Sequence, residues 1–392
     1  MFSGGDGSES KPFLIKTAQD LIDVRTKNQE NPMHHYKQVA NIDLTGVNWL
    51  PIGDASMGSP FMGTFDGDGY KISYLTINND YEHSGFIAIA VNATLVNIMI
   101  DNATIANTLY AWIGILAAQT QGCTITNCHV AGTIDATNVD SSSGGLVSSA
   151  GAGTIINKCS AHVEIKSALA GGFVCYSYAK IKDCYAIGKI GGVQDEYDPA
   201  EKFLYAGTFA RHLYDGSVEN CYTNVELYDY EDGQKSLYIF AENLGAQITS
   251  CYSDITGGAM RQEWSSDKVY TVDSFTRGTD NNLYVNDKMQ NKEDYDYWDP
   301  AWNSTGPPSW WPGPFYRAKP ISGEIWSRYW KQVTSSTHPE SRITVEMKKK
   351  STFIDWDFDK VWTIDEGKDY PRFKLNITQI KCKRMPLTNY RR

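Results

Sequence analysis

The groups in this chain able to do chemistry fall into four sets. Asp195, Glu196 and Asp198 crowd one stretch, and two carboxylates at a set separation are what glycoside hydrolysis requires; a solvated acidic loop is the plain alternative. Asp66 and Asp68 alternate with Gly67 and Gly69. Such carboxylates could hold Ca²⁺ together with backbone oxygens, although turn chemistry alone accounts for Asp and Gly there. Tyr185, Tyr222 and Tyr252 each follow a cysteine at one recurring position, with His129 at the equivalent earlier place. A row of outward aromatic rings either stacks on sugars, making these three tyrosines candidate glycan-binding residues, or packs against its neighbours across strands. The last set is Trp298, Trp302, Trp310, Trp311, Trp326 and Trp330, spread through a proline-containing block. Tryptophans so concentrated are either docking anchors for a partner or a small local core. No nucleophile elbow, zinc signature or phosphate loop accompanies them, so no catalytic residue, cofactor or metal is assigned.

The elements that must position these groups are set by an internal repeat. Leu95-Val96-Asn97, Ile125-Thr126-Asn127-Cys128, Ile155-Ile156-Asn157-Lys158-Cys159, Ile181-Lys182-Asp183-Cys184, Val218-Glu219-Asn220-Cys221 and Ile248-Thr249-Ser250-Cys251 return at a spacing near thirty residues. Gly85-Phe86, Gly114-Ile115, Gly144-Gly145-Leu146, Gly171-Gly172-Phe173 and Gly207-Thr208-Phe209 keep phase with them. After each cysteine the apolar residues alternate, as in Cys159, Ala161, Val163 and Ile165, which is the period of a strand with one buried face. Units too long for one strand, with Gly, Asn, Ser and Thr at the joints, predict several short strands per unit. Stacked, they form an all-β solenoid, a right-handed parallel β-helix. With coils about 4.8 Å apart, six of them make a rod about 30 Å long. On this fold Cys128, Cys159, Cys184, Cys221 and Cys251 point inward as a stack of reduced core thiols.

Composition bounds the functional classes. With 41% hydrophobic and 12% aromatic residues in 392, a sizeable core is expected. A net charge of −10 excludes nucleic acid as a main partner, because phosphate binding needs a basic footprint. No apolar run approaches the roughly 18 residues of a membrane helix, so no membrane insertion is expected. The start, Met1-Phe2-Ser3-Gly4-Gly5, shows neither a basic nor an apolar secretory region.

Several motifs carry a family resemblance. Pro12-Phe13-Leu14-Ile15 before a helix capped by Thr17, then Asn41-Ile42-Asp43-Leu44, Trp49-Leu50-Pro51-Ile52-Gly53 and the turn from Phe61 to Ile72 resemble the opening segment of GLUG-motif β-helix proteins. Phe353-Ile354-Asp355-Trp356-Asp357-Phe358-Asp359, Val361-Trp362-Thr363-Ile364 and Tyr370-Pro371-Arg372-Phe373 resemble that family's closing segment. Bacterial surface adhesins, regions flanking immunoglobulin A peptidases and phage virion proteins share this pattern, which implies a fold and a habitat rather than a reaction. The expected organisation is a cap over 1–60, coils over 61–256, an aromatic and proline-rich insertion over 257–350, and a closing segment with a basic tail over 351–392. Without a visible export signal, the leading expectation is a non-enzymatic phage virion component (tail, fibre or head decoration) assembled in the host cytoplasm. Its expected partners are other virion proteins, host-surface polysaccharide and further copies of itself. The alternatives are a polysaccharide-degrading tailspike and a bacterial cell-surface adhesin.

Overall fold

The computed structural model describes residues 2–53, 59–78, 80–194, 202–228, 235–238, 240–254 and 344–374, with the short strands 271–272, 295–297, 316–318 and 340–342. Its body is a parallel β-helix. Four sheets run along it, of nine, ten, eight and six strands among the described residues. Successive strands in each sheet come from successive coils and pair in parallel: Thr94–Val96 on Thr124–Thr126, then on Ile155–Asn157, Lys180–Lys182, Ser217–Glu219 and Gln247–Thr249. The exception is the antiparallel contact of Val193–Gln194 with Lys202 and Phe203.

Register makes each apolar position of the repeat a column. Ile105, Ile134, Ile165, Ile190 and Leu227 are paired in turn along the longest sheet, and all are buried. Leu95, Ile125, Ile156, Ile181, Val218 and Ile248 form a second buried column. Phe173, Phe209 and Phe240 stack at 4.9 and 4.7 Å between centroids, the coil spacing itself. The five expected cysteines occupy one interior ladder. The backbone N–H of Cys128 donates to Cys159 Sγ and that of Cys159 to Cys184 Sγ, both at 3.4 Å. The thiols of Cys159, Cys184, Cys221 and Cys251 each donate to the carbonyl two residues back, at 3.1 to 3.3 Å. Burial pushes Cys128, Cys159 and Cys221 well above the ordinary thiol range, so these sulfurs stay protonated and unreactive.

The repeat's two landmarks are explained by backbone geometry. The residue before each ladder position turns the chain in the left-handed region, with φ of 55° at Asn97 and Asn127, 54° at Lys158, 51° at Asp183, 53° at Asn220 and 50° at Ser250. Asn and Asp tolerate that region better than other residues with a Cβ. In the third unit the turn falls on Lys158, one residue after Asn157, which the sequence pattern had taken as its asparagine. The glycines mark a sharp inward corner: a Cβ on Gly144 or Gly171 would lie 1.9 Å from the carbonyl oxygen of Val147 or Val174.

The first coils are covered by a helix. Helix Ala18–Glu30 begins with a capping box between Thr17 and Asp20 and buries Leu21 and Val24 against the first coils. The strands around it, Phe13–Ile15 and His35–Gln38, belong to the same nine-stranded sheet as the coils. At the far end Glu340–Arg342 pairs with Tyr252–Asp254 as a further rung. From there residues 344–374 fold back along the outside of the ten-stranded sheet.

Candidate functional site

That returning segment decides the fate of the predicted tyrosine row. Tyr185, Tyr222 and Tyr252 do point away from the interior, on consecutive coils paired in register, and the rings of Tyr185 and Tyr222 stack at 5.0 Å. They are not a free surface. Tyr222 and Tyr252 are 2% and 1% exposed, because Phe353, Trp356, Trp362, Tyr370 and Phe373 lie over the row. Tyr222 donates its hydroxyl to Pro371 O at 2.8 Å, and Tyr252 accepts the Ile354 N–H at 3.0 Å. The indole of Trp362 donates to Asp183 Oδ1 at 3.3 Å and that of Trp356 to Ser250 O at 2.9 Å. His129, at the earlier equivalent position, lies beneath Phe373 at 5.4 Å. The three tyrosines are therefore a second core, and the assignment to glycan binding is corrected: flat apolar rings on a sheet face attracted a covering segment of the same chain.

An aromatic surface does exist on a different face. Tyr110 and Trp112 are a T-shaped pair at 6.5 Å, Trp112 meets Tyr176 at 5.5 Å, Tyr176 meets Tyr214 at 6.3 Å, and Tyr214 stacks on Tyr178 at 4.7 Å and 8°. Five rings thus make a continuous belt. Tyr110 is 45% and Tyr178 40% exposed, while the other three are half-buried. The belt rests on local sequence: Tyr110 stands two residues before Trp112, which opens the strand Trp112–Gly114, and Tyr178 two residues after Tyr176, just past the end of the strand Val174–Ser177. Small residues clear its path, since Ser142 and Ser149 occupy the coil between Trp112 and Tyr176. Arg211 lies over the Tyr176 ring at 5.1 Å and donates to its hydroxyl, and the Arg211 Nε is buried with no partner among the described residues. His212 Nδ1 and the Tyr214 hydroxyl are 3.0 Å apart. Burial pushes the Tyr176 phenol up to about 12, so it stays neutral. Flat rings fringed by guanidinium, imidazole and phenol groups offer stacking faces beside hydrogen-bonding groups, the combination that suits a sugar.

The other candidates resolve as follows. Asp66 caps the Asp68 N–H at 2.9 Å and accepts from Asn97 Nδ2 at 2.9 Å, and Lys37 Nζ lies 3.9 and 3.6 Å from Asp66 and Asp68. These carboxylates have turn and ion-pair roles. Asp195, Glu196 and Asp198, and all six candidate docking tryptophans, Trp298, Trp302, Trp310, Trp311, Trp326 and Trp330, lie outside the described residues. No helix among the described residues is long and apolar enough to cross a membrane.

The fold and the belt together define a parallel β-helix with an exterior aromatic surface. No family model matches the chain. Among curated proteins it is similar to one of Evansella cellulosilytica, provisionally named a Gly-rich membrane protein, at 39% identity over 84 residues, which cover 20% of this chain and 9% of that protein. It is also similar to halomucin of Haloquadratum walsbyi at 29% identity over 156 residues, which cover 36% of this chain and 2% of halomucin. The matches thus span less than a tenth of either relative. Among solved structures, a chain from Bacteroides ovatus provisionally named an immunoglobulin A1 protease aligns over 72% of this chain and 95% of its own, with TM-score 0.48 and 17% identity. A second, named IgA1 protease, aligns over 67% of this chain and 21% of its own, with TM-score 0.44 and 19% identity. The β-helix assignment rests on the four parallel sheets.

Proposed function

We propose that this chain is a non-enzymatic attachment module of a cell-surface protein. Its coils supply a stiff shaft, and the belt from Tyr110 to Tyr178 holds the rings of a surface polysaccharide. The observation that carries this reading is the belt: five aromatic rings in continuous contact, two of them exposed and three half-buried among the described residues, on a molecule whose other outward tyrosine row is sealed by its own chain. Stacking on aromatic faces tolerates variation in sugar identity, as repeating polymers demand. The names membrane protein and halomucin, borne by relatives that share short stretches, favour the cell envelope over the virion as the location. Kinship with GLUG-motif β-helix proteins belongs to the same proposal, because the resemblance extends to adhesins.

Affinity electrophoresis through gels containing defined polysaccharides tests it. Retardation by at least one polymer is expected, with Trp112→Ala and Tyr214→Ala each weakening it at least fivefold at unchanged circular dichroism. No retardation by any polymer, or retardation of both variants equal to that of the unaltered chain, would refute the belt as the binding surface. Release of new reducing ends from the polymer would refute the non-enzymatic reading.

A further inference from the structure

The left-handed turns form a hydrogen-bonded ladder on the outside of the coils. Asn127 Nδ2 donates to Asn97 Oδ1 at 2.8 Å, and Asn97 Nδ2 to Asp66 Oδ1 at 2.9 Å; further on, Asn220 Nδ2 donates to Asp183 Oδ1 at 3.3 Å. Between these two runs Lys158 takes the turn position, so an ammonium stands where an amide would continue the ladder. The closing segment covers the later rungs with tryptophan: Trp362 reaches Asp183, and Trp356 reaches the Ser250 carbonyl. Over the earlier rungs it leaves a cavity of about 360 Å³, lined by Asn97, Asn127 and Lys158 from the coils and by Lys360, Phe373 and Lys374 from the closing segment.

Three features of this space point to one kind of occupant. Its charge is positive on a protein of net charge −10: among the described residues none of the three lysines forms an ion pair, and the acid of the lining, Asp68, lies 3.6 Å from Lys37. Lys374 keeps its ammonium in place by donating to Asp359 O at 2.8 Å. The Phe373 ring supplies one apolar wall, and the amide ladder supplies groups that match hydroxyls. At the lower end of the roughly 300–1,000 Å³ of small-molecule sites, the volume suits a single ring rather than a chain end of several residues. We infer that this cavity binds an anionic pyranose, a sugar ring carrying a carboxylate or a sulfate, with Lys158, Lys360 and Lys374 around the anion and Phe373 against the ring.

The site is separate from the aromatic belt, and its test is independent of it. Isothermal titration of the full chain is run with glucuronate, glucose 6-sulfate, glucose and inorganic phosphate. Saturable binding of glucuronate or of the sulfate at millimolar or lower concentration is expected, at least tenfold tighter than glucose or phosphate; the stronger of the two arms identifies the acid group. Lys158→Asn suits the left-handed turn and extends the amide ladder, so it removes the charge without disturbing the coil. It and Lys374→Gln should each weaken binding at least fivefold, whereas Trp112→Ala should leave it unchanged. Absence of saturation with either acidic sugar, equal binding of glucose or phosphate, or indifference to Lys158→Asn in a folded variant would overturn the inference. Failure of the belt experiment alone would leave this result standing.

Discussion

Replacing Trp362 by alanine should release the closing segment from the shaft while leaving the coils folded. Trp362 is fully buried, against Trp356 at 4.4 Å, Phe373 at 4.6 Å and the stacked tyrosines at 6.2 and 6.3 Å. Burying a tryptophan removes about 150–250 Å² from water, which at about 25 cal/mol/Å² is about 4–6 kcal/mol; tryptophan-to-alanine changes in cores cost about 3–5 kcal/mol. The two routes meet near 4 kcal/mol. The lost indole donor also leaves Asp183, whose carboxyl burial has already raised, with Asn220 as its remaining side-chain partner. Because coils contact only their neighbours, this loss falls on the segment's own opening equilibrium. At about 1.4 kcal/mol per decade, 4 kcal/mol is close to a thousandfold. Hydrogen exchange read at the Ile354 amide, bonded to the Tyr252 hydroxyl, should accelerate by two to three orders of magnitude, and trypsin should gain access at Lys360. Amides of Ile134 and Ile165 deep in the coils should be unaffected. Trp362→Phe, which retains the ring packing, should fall between. An acceleration below tenfold, or equal loss of protection in coils and closing segment, would refute the picture of a separately seated strap.

Two further outcomes follow from packing and charge. Burial holds the imidazoles of His129 and His162 down at about 4, with their mutual charge adding at His129 and Asp101 opposing at His162. Their native values lie below the ordinary 6.5, so the stability they contribute is complete above that pH and declines as pH falls toward 4, by at most about 3 kcal/mol each. The raised Asp183 carboxyl works in the opposite sense. Urea midpoints at pH 7.5, 5.5 and 4.5 should therefore drop, with a shallower drop in His129→Gln; a flat profile would contradict the burial of the two rings. Gly144→Ala places a methyl 1.9 Å from Val147 O and 2.8 Å from Cys175 N, both backbone atoms. It should cost about 1–3 kcal/mol or more, and an unchanged melting temperature would show that the corner relaxes freely.

Much of the shaft was legible because register repeats it. A residue such as Ile134 or Cys159 reports its own side of the strand by alternation, and its neighbours one repeat away report the column. The opening strands lacked the Asn-Cys signature, so six coils were expected where the nine-stranded sheet extends back to Phe13. Alternation gives the side of a strand but not what lies over it. Tyr222 is covered by Pro371 from 149 residues away, a separation no local pattern encodes. The belt left a partial signal in Tyr110 with Trp112, Tyr176 with Tyr178 and His212 with Tyr214, each pair two residues apart. Its continuity across coils depends on register and on the small side chains of Ser142 and Ser149, which a periodicity count passes over. The cavity left none, since Lys158 and Lys374 meet only through the fold-back of the last segment.

The fold-back also determines how the molecule answers tension. Parallel coils at the end of a solenoid can unravel one rung at a time, like thread from a spool. Here a pull applied at residue 374 is met at Phe373, which rests on His129 and Tyr185 well inside the shaft. The load must slide a row of interlocked rings sideways before the last rung is stressed, and sliding breaks many contacts together where peeling breaks them in sequence. A strap seated this way gives way, when it does, in one step.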